Sequence, residues 1–198
     1  MKNPRKTKSY QAILQRATSL FWKHGVRRVT VEEICREAEI SKMTFYRLFN
    51  NKNEVAEQVL DGVLEGSMMR YKSIMRQPVP FSEKIKQIML LKQDTTTGIS
   101  EEFIRDIYQH EDSGLKQRME DYRKRMMEEV IEDFRIAQQN GWIRKDLKPE
   151  FIMFAMEQFS AMILDEKLIA MYKNSQDIIM EITNFFFYGI LSYEAPVK

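Results

Sequence analysis

Apolar residues recur at three- and four-residue intervals along almost the whole chain, and no alternating stretch bounded by turns suggests a strand. The first amphipathic segment follows Ser9 and sets Ile13, Ala17, Leu20 and Phe21 on one face. It stops at Gly25, where a glycine can take the left-handed conformation that closes a helix. Thr30 then precedes Val31-Glu32-Glu33, which spells a capping box: the Thr30 hydroxyl accepts from the Glu33 amide and the Glu33 carboxylate reaches back. The short helix so opened buries Ile34 and Ala38 and ends near Glu39. Ser41 caps a second short helix with Phe45, Leu48 and Phe49 inward, and Asn51 with Glu54 opens a long one through Val55, Val59 and Val63. Gln77-Pro78-Val79-Pro80 reads as a connector. After it the pattern predicts helices near 81–93, 101–109 and 114–139, with Ser100 capping the second and Asn140-Gly141 stopping the third. Pro149 suits the first turn of a helix reaching about Tyr172, Asn174-Ser175 breaks it, and a last helix runs from about 176 to 191. The expectation is an all-α protein of about nine helices.

The segment from Thr30 to Phe49 carries the most information. Two short helices around the tight turn Glu39-Ile40-Ser41, apolar inside and polar outside, fit a helix-turn-helix. Its second helix leaves Lys42, Met43, Thr44, Tyr46 and Arg47 on faces that Phe45, Leu48 and Phe49 do not use, as a helix reading a major groove requires.

Composition narrows the classes further. The 198 residues are 43% hydrophobic and 30% charged, a globular mixture. No apolar run approaches membrane-spanning length, and the basic, then amphipathic, start has no signal-peptide core, so a cytoplasmic protein without membrane contact is expected. One cysteine, Cys35, and two distant histidines, His24 and His110, leave no disulfide framework and little for a metal, and no cofactor is implied. Cys35 reads as core and His24 as a cation near the end of the first helix. Net charge is only +2, but up to Glu54 twelve Lys and Arg face five Asp and Glu, a head of +7 on a body of −5. Such a head suits a polyanion, with Arg5, Lys6 and Lys8 as a basic arm.

The stretch from Ile13 to Leu60 resembles the TetR family of transcriptional regulators. It carries I-L-Q-R-A-T-S-L-F and then G-V-R-R-V-T-V-E-E-I-C-R-E-A-E-I-S-K-M-T-F-Y-R-L-F-N-N-K-N-E-V. The intervals linking Phe21, Gly25, Thr30, Ile34, Ala38, Phe45-Tyr46, Phe49 and Lys52 match the family signature without a gap. Farther on, N-G-W-I-R-K-D-L-K-P-E and F-F-F-Y-G-I-L resemble it in outline.

The resemblance implies a helix-turn-helix domain over 1–54, extending into the linking helix 52–76, and a helical ligand-binding and dimerisation domain over 55–198. It implies that Thr30, Tyr46 and Lys52 touch phosphates, that Ser41, Lys42, Met43 and Thr44 lie nearest the groove, and that Arg47 reaches base or backbone. Met43 stands where the family often has a small residue, which allows contact with a thymine methyl. Leu48 replaces a frequent polar aromatic or His and removes one phosphate contact. An adaptable apolar pocket is expected from Phe103, Tyr108, Tyr122, Met126, Met156 and Phe159. The last two helices are expected to pair with a second copy through Ala161, Leu168, Ile182, Phe186 and Gly189. The function implied is a homodimeric repressor of a near-palindromic operator, released by a small apolar effector. The alternative is a helical ligand-sequestering or interaction protein without DNA binding. With no nucleophile–base pair, metal spacing or phosphate loop, an enzyme is not expected.

Overall fold

The computed structural model describes residues 7–109 and 114–190, so Arg5, Lys6 and His110 lie outside the described residues. Ten α-helices and no strand are found among those residues. They are α1 (Lys8–His24), α2 (Val31–Glu37), α3 (Lys42–Leu48), α4 (Lys52–Met75), α5 (Phe81–Thr96), α6 (Glu101–Gln109), α7 (Leu115–Gln139), α8 (Pro149–Met162), α9 (Glu166–Ile169) and α10 (Ser175–Ile190). The tenth helix corrects the expected single helix from Pro149 to Tyr172. Asp165 interrupts it, because its side chain accepts from the Leu168 amide at 3.0 Å and starts a new turn. At the other end of the chain α1 is capped by Thr7 rather than opening after Ser9, with the Tyr10 amide donating to Thr7 Oγ1 at 3.2 Å.

The chain packs as two compact units. The first gathers the described residues of Met1–Glu65 together with those of Gly98–Asp121, and the second comprises Gly66–Thr97 and the described residues of Tyr122–Lys198. The domain boundary expected at residue 54 is not where the packing divides; α4 and α7 each contribute to both units.

In the first unit α1 buries Ile13, Ala17 and Phe21, α2 buries Ile34 and Cys35, and Phe45 of α3 is fully buried with them. Complete burial of each large apolar side chain stabilises by about 1.5–3 kcal/mol. Tyr10 stacks on Phe49 with ring centroids 4.9 Å apart. A later segment closes this unit: Trp22 meets Phe103 at 4.7 Å, and the Ser100 amide donates to the Trp22 carbonyl at 2.8 Å. The Arg27 amide donates to the buried Asp106 carboxylate at 2.9 Å. Gly25 makes that approach possible. Its φ of +76° suits glycine, and a Cβ there would stand 2.7 Å from Asp106 Oδ2. Arg118 forks onto Glu57 and Asp61, fastening the start of α7 to α4.

In the second unit the core joins Tyr71, Phe81, Ile85, Phe134, Ile143 and Ile152. Lys84 is buried yet satisfied: its ammonium donates to the Met75 carbonyl at 2.6 Å and lies 5.9 Å from the Trp142 ring centre. Gly141 ends α7 with φ +72°, and the Trp142 amide returns to the Ala137 carbonyl at 2.9 Å. Gln176 ties α10 to α5 by donating to the Gln93 carbonyl at 2.9 Å.

Candidate nucleic-acid interface and effector cavity

Two caps and one strained turn hold the helix-turn-helix. At Thr30 both halves of the capping box form: the Glu33 amide donates to Thr30 Oγ1 at 3.2 Å, and the Thr30 amide donates to Glu33 Oε2 at 2.7 Å. Those bonds hold the Glu33 carboxyl below the ordinary carboxylate range. Between α2 and α3, Glu39 takes φ +54°, and the Ile40 amide reaches back to the Cys35 carbonyl at 3.0 Å. A side-chain-bearing residue in that conformation costs about 1–2 kcal/mol, which the closed turn offsets. Ser41 then caps α3 by accepting from the Thr44 amide at 3.1 Å.

Phe45 and Phe49 anchor α3 and turn its other faces outward. Met43 is 79% exposed and Tyr46 57%, with the Tyr46 ring edge-on to Phe45 at 5.4 Å. Arg47 is exposed and makes no ion pair among the described residues. Lys42 is exposed too but is already engaged by Glu32, whose hydrogen bond raises the lysine pKa and lowers that of the glutamate. Sequence pattern does not reveal Glu32 as a competitor for this cation, because a position ten residues before Lys42 offers no helical-spacing signal.

The structure amends the role of Lys52. Its ammonium donates to the carbonyls of Arg27 at 3.1 Å and Val29 at 2.6 Å. Burial lowers its pKa, against the pull of Asp106 and Glu33. Two of its three N–H groups therefore clasp the α1–α2 loop. Thr30 and Ser41 also use their hydroxyls locally, as caps.

The second unit encloses a cavity of about 270 Å³. Tyr71 and Met75 of α4 line it, as do Phe81, Ile85, Ile88 and Lys92 of α5. From α7 come Tyr122, Arg123, Met126, Val130 and Phe134, and α8 and α10 add Met156, Phe159, Ile182 and Phe186. Four residues named from the sequence, Tyr122, Met126, Met156 and Phe159, thus share this wall. Phe103 and Tyr108 do not: both belong to α6 in the first unit, a correction to the expected pocket. Helical periodicity marks such residues as buried but cannot say in which of two cores.

Residues 13–59 match the family described as bacterial regulatory proteins, tetR family. An uncharacterised helix-turn-helix transcriptional regulator of Bacillus subtilis, YhgD, is 26% identical over 77 residues, 39% of this chain and 40% of that protein. The matched segment therefore spans less than half of that relative. Among solved structures, the regulatory protein TetR from Rhodobacter sphaeroides aligns with a TM-score of 0.73 at 14% identity, covering 93% of this chain and 100% of its own. SmeT, the repressor of the Stenotrophomonas maltophilia multidrug efflux pump SmeDEF, aligns with a TM-score of 0.66 at 16% identity, covering 98% and 95%. The match thus covers the helix-turn-helix segment of that family, and the described residues share the fold of the TetR-family structures. Residues 13–59 are similar to the DNA-binding helix-turn-helix segment of those regulators.

The residues expected at a dimer interface fall into two groups. Ile182 and Phe186 line the cavity of their own chain. Ala161 and Gly189 are exposed and Leu168 is half-buried. The larger apolar surface lies beside them, where α10 shows Phe185 at 71% and Tyr188 at 72% exposure. Among the described residues no group of His, Cys, Asp or Glu could hold a metal ion, and no helix is long and apolar enough to cross a membrane. Cys35 is buried, and burial pushes its thiol up.

Proposed function

We propose that this protein is a TetR-family regulator that acts in the cytoplasm as a homodimeric repressor. Each copy lays α3 in the major groove of one half of a near-palindromic operator. A small, largely apolar effector, held in the cavity of the second unit, lowers operator affinity. The observation that carries the reading is α3 itself: an exposed face of Lys42, Met43, Tyr46 and Arg47 mounted on fully shielded Phe45 and Phe49. Two such helices related by a two-fold axis read half-sites about 34 Å apart. Exposed Phe185 and Tyr188 supply the apolar area that a second copy covers. Effector and operator weaken each other's binding by the same factor, as linkage requires.

The test is a titration of the full chain with duplex DNA selected from a random pool, repeated across salt concentrations. Binding should weaken steeply as salt rises. Arg47→Ala and Lys42→Ala should each lower affinity while helicity and dimerisation stay unchanged, with the larger loss at Arg47 because Lys42 is shared with Glu32. A dimer that binds no duplex at low salt overturns the reading in favour of a ligand-sequestering helical protein.

A further inference from the structure

The cavity wall is apolar almost throughout, but its two charged members have the same sign. Lys92 and Arg123 line it, and among the described residues no aspartate or glutamate does. Neither side-chain cation makes a hydrogen bond or ion pair with any described residue. Lys92 is exposed and Arg123 half-buried, so both cations are open to a ligand that enters the cavity. Desolvation by the surrounding protein depresses the Lys92 pKa.

Their placement is asymmetric. On α5, Phe81, Ile85, Ile88 and Lys92 fall at helical intervals on one face, with the cation at the C-terminal end. From Ile85 to Lys92 the helix rises about 10 Å. On α7, Arg123 begins a stripe that continues through Met126, Val130 and Phe134. Each stripe is thus hydrocarbon along its length and positive at one end. A further polar group belongs to the same wall: the Tyr71 hydroxyl is fully shielded and completes no hydrogen bond, although Asp133 is near enough to disfavour its phenolate.

We infer that the cavity binds an anionic amphiphile, a flexible hydrocarbon chain with one carboxylate, the carboxylate held by Lys92 and the chain lying against Ile85, Ile88, Phe134 and Phe186. The inference rests on the cavity being the effector site and adds the charge of the effector. A neutral ligand of the same length leaves the cations uncompensated; a cationic one is repelled by both. Arg123 supplies a second positive group.

The test titrates the full-length protein with decanoate, 1-decanol and decyltrimethylammonium by calorimetry. Decanoate should bind about tenfold or more tightly than 1-decanol, the scale of a hydrogen bond to a charged group. Decyltrimethylammonium should not bind. Lys92→Met should remove that tenfold for decanoate and leave 1-decanol unchanged, whereas Lys92→Arg should retain most of it. Circular dichroism melts verify that each variant is folded. Equal affinity for decanoate and 1-decanol, indifference to Lys92→Met, or no binding of either probe overturns the inference. A parallel arm follows release of the selected duplex. Decanoate binding through Lys92 without any change in duplex affinity sustains the ligand class and sinks the regulatory reading. Release by 1-decanol as effective as by decanoate does the reverse.

Discussion

Aromatic side chains are treated in opposite ways by the two units. In the first, Phe21, Phe45 and Phe103 have no measurable exposure, and Phe49 is nearly as well covered. In the second, Phe151, Phe154, Phe185 and Tyr188 all remain more than half exposed, while others line a cavity instead of filling it. The first unit is an internally satisfied platform: its core is closed within one chain, so what it shows outward is free to meet another kind of molecule. The second leaves aromatic surface uncovered in two places, on the wall of its cavity and on its exterior. Such a division of labour suits the proposed function, in which the reading surface keeps its shape while the cavity changes occupancy.

The contrast breaks if the closed and open aromatics prove equivalent. Phe45→Ala should give the largest effect, about 3–5 kcal/mol of lost stability, because it empties a fully packed site beneath α3. Urea denaturation followed by circular dichroism measures it, and duplex binding should disappear with the fold of the unit. The matching change at an open aromatic, Phe185→Glu, should leave the melting of the isolated subunit nearly untouched. Instead it should weaken association by about 2 kcal/mol or more, as expected of an aromatic anchor at an interface centre. Sedimentation velocity would then show a monomer at concentrations where the parent chain is a dimer; an unshifted dimer would place the interface elsewhere. The smallest of the three is Thr30→Ala, which removes one half of the capping box and should cost about 1 kcal/mol, visible as a lowered melting temperature of the first unit.

What can be read from the residues alone divides along the same line. Thr30 with Glu33, Asn51 with Glu54 and Ser100 with Phe103 form the caps their spacing announces, since both partners lie within one helical turn. That local grammar places the helix-turn-helix and most helix starts. Contacts spanning many residues carry no such signal. Asp106 meets the Arg27 amide 79 residues earlier, and nothing in either stretch foretells the other. Family resemblance assigns Lys52 to phosphate, whereas its partners are backbone carbonyls, which leave no trace in side-chain pattern. Continuous apolar spacing hides the break at Asp165, and Phe103 and Tyr108 resemble pocket residues because hydrophobicity alone does not choose between cores. Lys92 is equally silent, since a lysine on an amphipathic helix ordinarily faces solvent.

The order in which the first unit is assembled from the chain has a consequence for its biogenesis. Its last pieces, within Gly98–Asp121, come after an excursion through Gly66–Thr97 that belongs to the other unit. A ribosome emitting about 5–20 residues per second therefore needs roughly three to ten seconds beyond Glu65 before Asp106 and Arg118 exist to close it. Until then the face of Trp22 that Phe103 covers, and the carboxylates of Glu57 and Asp61, lack the partners they have in the finished fold. The first unit therefore cannot finish folding until the ribosome has passed through the intervening part of the second.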